Sequence, residues 1–334
     1  MARLASVFSS HMVFAARKPI RIYGEGQGEI SITFAGRQIS LSSSSDRWFA
    51  EFPPMEYGGP YCLTVVLDGK REVLEDIYVG EVLLMAGQSN MQFKLRESSL
   101  PKESYRGDDR VRLFTAPRVE EGEPFTPADG WIVSHTDNVG LWSALGYHGG
   151  HLRAAEQNIA VGVIGCYQGA SVIESWLPAG ILEKEGISLS DDEKYGDHFH
   201  KKYGRWNGDG FLYEASLSCV FPFSLSAVVW YQGESDVSLA ESKVYGKELE
   251  ILISVWREAF RDPDLPFVVV QLANYINRAG EPWSNIQKAQ YDIQFRVPGV
   301  KTAISADVSE EDNIHPPTKI HLGTRIVSAL KELL

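Results

Sequence analysis

Val82-Leu83-Leu84-Met85-Ala86-Gly87-Gln88-Ser89-Asn90-Met91 decides how this chain is read. It opens with four consecutive apolar residues. Their lack of alternation describes a strand buried on both faces, as in a parallel sheet covered by helices. Runs 159–164, 227–231, 267–272 and 302–306 have the same Val/Ile/Leu-rich character. Between them, Val244, Leu249, Leu252, Trp256 and Phe260 recur at helical spacing, as do Leu322, Ile326, Leu330 and Leu333. Strand alternating with helix implies a parallel α/β sheet. In such a sheet chemistry gathers beyond the carboxyl ends of the strands. Four of the five runs lead into polar, glycine-bearing or acidic loops: AGQSNM at 86–91, GCYQGAS at 165–171, WYQGESD at 230–236 and DNIHP at 312–316.

Residues 17–76 read differently. Ile30, Ile32 and Phe34 alternate with Ser31 and Thr33, and the runs at 38–41, 48–52, 61–67 and 72–74 continue a series of short strands. Asp68-Gly69 is a hairpin signal. This predicts a small N-terminal β-sandwich over residues 1–77, followed by an α/β catalytic domain over 78–334. At roughly 150 residues per domain, 334 residues fit that division.

Composition narrows the function. Hydrophobic residues at 44% and charged residues at 23% are ordinary globular usage. With 32 basic and 44 acidic residues the net charge is −12, which argues against a nucleic-acid binder. Cys62, Cys166 and Cys219 are too few and too scattered for a disulfide framework or a cysteine-rich zinc site. Asp197, His198 and His200 suggest a metal, but Lys194, Lys201 and Lys202 around them favour a solvated loop, so no metal and no cofactor is expected. Neither a signal-peptide core nor a membrane span is visible. The expectation is a cytoplasmic protein with no membrane or nucleic-acid partner and an undetermined oligomeric state.

A serine attacks only when a neighbouring base takes its proton, so Ser89 calls for a histidine with an orienting carboxylate. His315 is the best base, and Asp312, three residues earlier, is the candidate to hold its ring. An oxyanion hole needs donors aimed at developing charge. The candidates are the backbone N–H groups of Ser89 and Gly169 and the side-chain amide of Gln232, each following a different strand. Gln88, Tyr167, Trp206, Tyr231 and Glu234 are candidates for the sugar side of the cleft, where aromatic rings suit amphipathic ligands. Trp206 serves equally as an anchor for its loop, and Glu234 as a structural partner for its own loop or the serine helix.

Together AGQSNM, the loop ending at Gly169, WYQGESD and DNIHP resemble the SGNH hydrolase superfamily, and more narrowly the sialate O-acetylesterase and related carbohydrate acetylesterase family. LASVFSSHMVF and RKPIRIYGEG resemble that family's β-rich opening, and WSALGYHGGHLRAA at 142–155 its helix before the second block. The resemblance implies a flavodoxin-like, three-layer fold and a serine esterase that removes acetyl groups from sialic acid or plant-type oligosaccharides. Ser89 matches the nucleophile, Asp312 and His315 the D-x-x-H block, and Gly169 the oxyanion glycine. Gln232 stands where the superfamily often has asparagine. CYQG departs from the family's usual second block, which bears on substrate preference. A lipase- or thioesterase-like hydrolase of longer acyl esters and a non-catalytic carbohydrate-binding protein are the alternatives. Intact Ser89, Asp312 and His315 argue against the second.

Overall fold

The computed structural model describes residues 2–119, 128, 130–194 and 204–334. The chain opens with β1 (Arg3–Leu4), β2 (Val13–Ala15), β3 (Ile20–Glu25), β4 (Gly28–Phe34), β5 (Arg37–Ser43), β6 (Arg47–Phe52) and β7 (Gly58–Leu67). β1, β3 and β6 form one antiparallel sheet, while β4 lies between β5 and β7 in another. Asp68 and Gly69 both take positive φ in the two-residue turn after β7, as a tight hairpin requires.

That hairpin leads into β8 (Lys70–Gly87), an 18-residue strand. Its first half pairs antiparallel with β7, and its second half is the central strand of the parallel sheet. The runs at 72–74 and 82–85 therefore belong to one continuous strand crossing residue 77. Then follow β9 (Asp108–Thr115), β10 (Ile132–Ser134), β11 (Val161–Tyr167), β12 (Ala227–Tyr231), β13 (Phe267–Val270) and β14 (Val300–Ala303). The order across the sheet is β10-β9-β11-β8-β12-β13-β14, with β10 antiparallel at the edge. The five strands read from sequence stand in the order 2-1-3-4-5, a doubly wound pattern. β9 was not among them; its start, Asp108-Asp109-Arg110, carries three charges before the apolar stretch.

The helices that bear on the site are α1 (Ser89–Gln92), α2 (Ala144–Gln157), α3 (Leu239–Ala259), α4 (Glu281–Arg296) and α5 (Ile320–Leu333). α2 packs with α5 and α3 with α4, so the strands between them are buried throughout. The result is an α/β fold built on a large mixed sheet. The N-terminal strands are docked by Arg21, which donates to the carbonyls of Phe260 (2.7 Å) and Arg261 (3.0 Å) at the end of α3. Among the described residues no helix is long and apolar enough to cross a membrane.

Candidate active site

Gly87 is in register with both Tyr167 and Tyr231, so the three loops that follow β8, β11 and β12 leave the sheet at one level. At Gly87 (φ +139°) an added Cβ would lie 2.0 Å from the Tyr231 carbonyl oxygen. Only glycine lets the strands stay paired while the chain turns toward Ser89. Ser89 then begins α1, where its backbone N–H is not used by the helix's own bonds. His315 arrives from the loop between β14 and α5, and its Nε2 lies 2.8 Å from Ser89 Oγ.

The His315 ring rests on Phe93, with centroids 6.2 Å apart and planes 28° from parallel. Burial holds its pKa below the ordinary 6.5, and the positive charge of Lys319 pushes the same way, while Glu97 opposes. The ring is thus neutral at neutral pH, the form that accepts a serine proton. Asp312 is exposed, and among the described residues no hydrogen bond joins it to His315. The turn closed by Asn313 N–H on the Glu310 carbonyl faces Asp312 outward, and Asn313 Oδ1 accepts from the His315 backbone N–H at 2.9 Å. The orienting bond expected from the three-residue spacing is not formed in this arrangement.

Gly169 does stand beside the serine: a Cβ there would be 3.7 Å from Ser89 Cβ. Its N–H donates to Gln92 Oε1 at 2.9 Å, and its carbonyl accepts from Trp206 Nε1 at 3.1 Å. Trp206 therefore anchors the glycine loop. Gln232 departs from expectation. Its amide donates to the Ser171 carbonyl (2.8 Å) and to the Asp236 carboxylate, and its Oε1 accepts from the Tyr245 hydroxyl (3.1 Å). Both amide hydrogens are committed, so Gln232 braces the loops and is no oxyanion donor here.

The other four proposed cleft residues are, like Trp206, internal. Gln88 is buried, accepting from the Gly233 N–H at 3.2 Å. Tyr167 and Tyr231 end strands covered on both faces, and their phenols sit by Thr115 and Ser305, where burial raises both pKa values. Glu234 Oε1 accepts from Asn90 of the serine helix at 2.5 Å. The open cavity beside Ser89 and His315, about 230 Å³, is lined instead by Gln92, Phe93, Lys94 and Glu97. Gln92 follows Ser89 by three residues, so a helical turn puts it on the same side, a signal present in the sequence. No group of three or more metal-ligating side chains occurs among the described residues, and Asp197, His198 and His200 lie outside them.

Residues 79–332 match the family of carbohydrate esterases described as sialic acid-specific acetylesterases. The chain belongs to this family. Among similar proteins, human sialate O-acetylesterase is 25% identical over 384 residues, covering 98% of this chain and 71% of the human one. The mouse sialate O-acetylesterase is 23% identical, covering 98% and 73%. A carbohydrate acetylesterase from Xanthomonas citri superposes with a TM-score of 0.86 at 24% identity, over all of this chain and 75% of that one. The family member described here is a carboxylic ester hydrolase that removes O-acetyl groups from sugars.

Proposed function

We propose that the chain deacetylates sialic acid or short acetylated oligosaccharides through an acyl-enzyme on Ser89. The observation that carries this reading is the 2.8 Å separation of Ser89 Oγ and His315 Nε2, with His315 held neutral. Ser89 attacks the acetyl carbonyl as His315 takes its proton. The Ser89 and Gly169 N–H groups receive the oxyanion, Gln92 swinging away from Gly169. His315 then protonates the departing sugar hydroxyl and activates the water that releases acetate. Asp312, held by no partner among the described residues, turns inward during the reaction to take His315 Nδ1–H. The catalytic unit in this reading is 78–334, supported by residues 1–77.

Acetyl is favoured over longer acyl chains because the family is one of acetylesterases, and the open cavity walled by Phe93, Gln92 and His315 beside Ser89 has room for the acetyl group. Acetylated sialic acids and xylan- or mannan-derived oligosaccharides, assayed beside acetyl-to-octanoyl chromogenic esters, test the assignment. Acetate release from sugar with sharp loss of rate beyond short chains is expected. A preference for long acyl chains would overturn it.

A further inference from the structure

Behind Ser89 and His315 the protein buries an ammonium. Lys319, at the head of α5, is 2% exposed. Its Nζ donates to Asn90 Oδ1 at 2.6 Å and lies 4.9 Å from the Phe93 ring centroid and 5.9 Å from that of Tyr231. Asn90 Nδ2 in turn donates to Glu234 Oε1 and to the Ile314 carbonyl at 2.9 Å. One amide therefore joins the serine helix, the 232–236 loop, α5 and the residue preceding His315. The second Glu234 oxygen, Oε2, is buried with no hydrogen-bond partner among the described residues. Removing such charges from water is costly, so their placement against the base calls for a return other than stability. Burial lowers the Lys319 pKa to about 7 and raises that of Glu234.

We infer that Lys319 is a positioning residue for the hydrolysis proposed above: through Asn90 it pins the His315 loop against Ser89 and sets a positive charge behind the base. The inference rests on that reading of Ser89 and His315. The charged groups near His315 are Lys94 and Glu97 from the segment after α1, Glu310 and Asp312 from its own loop, Lys319 from α5, and Glu234 behind Asn90. Of these, Lys319 lowers the His315 pKa and Glu97 raises it. Glu310 is engaged by the Thr318 hydroxyl, and with Glu234 it favours the charged form of Lys319. Because Lys319 titrates above His315, its charge is present across the range where His315 loses activity by protonation.

The test compares Lys319→Met, which keeps the stem without the charge, with Lys319→Arg. The pH dependence of kcat/KM on a chromogenic acetyl ester is read beside an NMR titration of the His315 ring. Lys319→Met is expected to lose on the order of 10- to 100-fold in kcat/KM, with the acid limb and the ring titration moving up toward 6.5. Lys319→Arg should keep both near the native positions. Activity lost with an unmoved limb makes Lys319 merely structural, and unchanged activity overturns the inference outright. Should Lys319→Met not fold, the native protein decides: its His315 signal should titrate below 6.5 and sense a second protonation near 7. Absence of that second event refutes the coupling. The NMR titration needs no turnover, so a failure of the esterase reading would show separately.

Discussion

Replacing Gln92 by alanine should speed the enzyme on small esters. The Gly169 N–H donates to Gln92 Oε1 at 2.9 Å, and in the proposed mechanism that same N–H receives the oxyanion. In the free enzyme the amide oxygen must leave before the donor is available. A neutral hydrogen bond of this kind is worth about 1 kcal/mol net, so its removal should raise kcat/KM by up to roughly fivefold. Gln92 is half-buried and lines the cavity with Ser89 and His315, so its truncation opens space without uncovering the core. A chromogenic acetyl ester is the right probe, because it makes no sugar contacts that the side chain could also serve. Gln92→Glu provides the opposite perturbation. Its charged acceptor would hold the Gly169 N–H about twice as strongly and repel the oxyanion, so kcat/KM should fall. A clear loss of kcat/KM in Gln92→Ala would refute the reasoning and mark the Gln92 amide as a transition-state donor.

Three further outcomes follow from the geometry. Asp312→Ala should cost about 100- to 10,000-fold in kcat if the carboxylate engages His315 during turnover; a change within about twofold would leave Ser89 and His315 as a dyad. Gly87→Ala should lower stability by about 3 kcal/mol or more, since its Cβ would meet the Tyr231 carbonyl at 2.0 Å; an unchanged melting temperature would contradict the tight β8–β12 approach. His148, buried in α2, has its pKa pushed from 6.5 to about 4, by burial first and His151 second. The unfolded chain therefore binds the extra proton first. Stability is full above 6.5 and falls as pH drops through 4, by a total on the order of 3 kcal/mol. Urea midpoints at neutral and acid pH should converge less in the native protein than in His148→Gln, and identical acid sensitivity would refute this.

Much of the architecture was legible because burial on both faces removes alternation, which marks β8, β11, β12 and β13 without reference to partners. Ser89 was legible for a related reason, since its loop follows β8 directly, whereas His315, far along the loop after β14, was legible from its spacing to Asp312. The side chains around them were less so. Tyr167 and Tyr231 flank the motif glycines, yet each is the last residue of a doubly covered strand and points into a layer, not into the cleft. Gln88 and Gln232 carry amides that satisfy buried loop backbone, and which partner an amide finds is settled by tertiary placement alone. Asp312 has the right spacing but sits on the outside of its turn. Lys319 and Asn90 gave no such signal: a charged residue reads as surface until the fold buries it beneath Phe93.

The central claim is that acetyl passes through Ser89. Rapid quenching during turnover of an O-acetylated sialic acid, followed by mass analysis of the peptide containing Ser89, tests it most directly. One acetyl increment on Ser89, with no increment and no acetate release in Ser89→Ala, is the predicted result. Acetate released by Ser89→Ala at the native rate would contradict it.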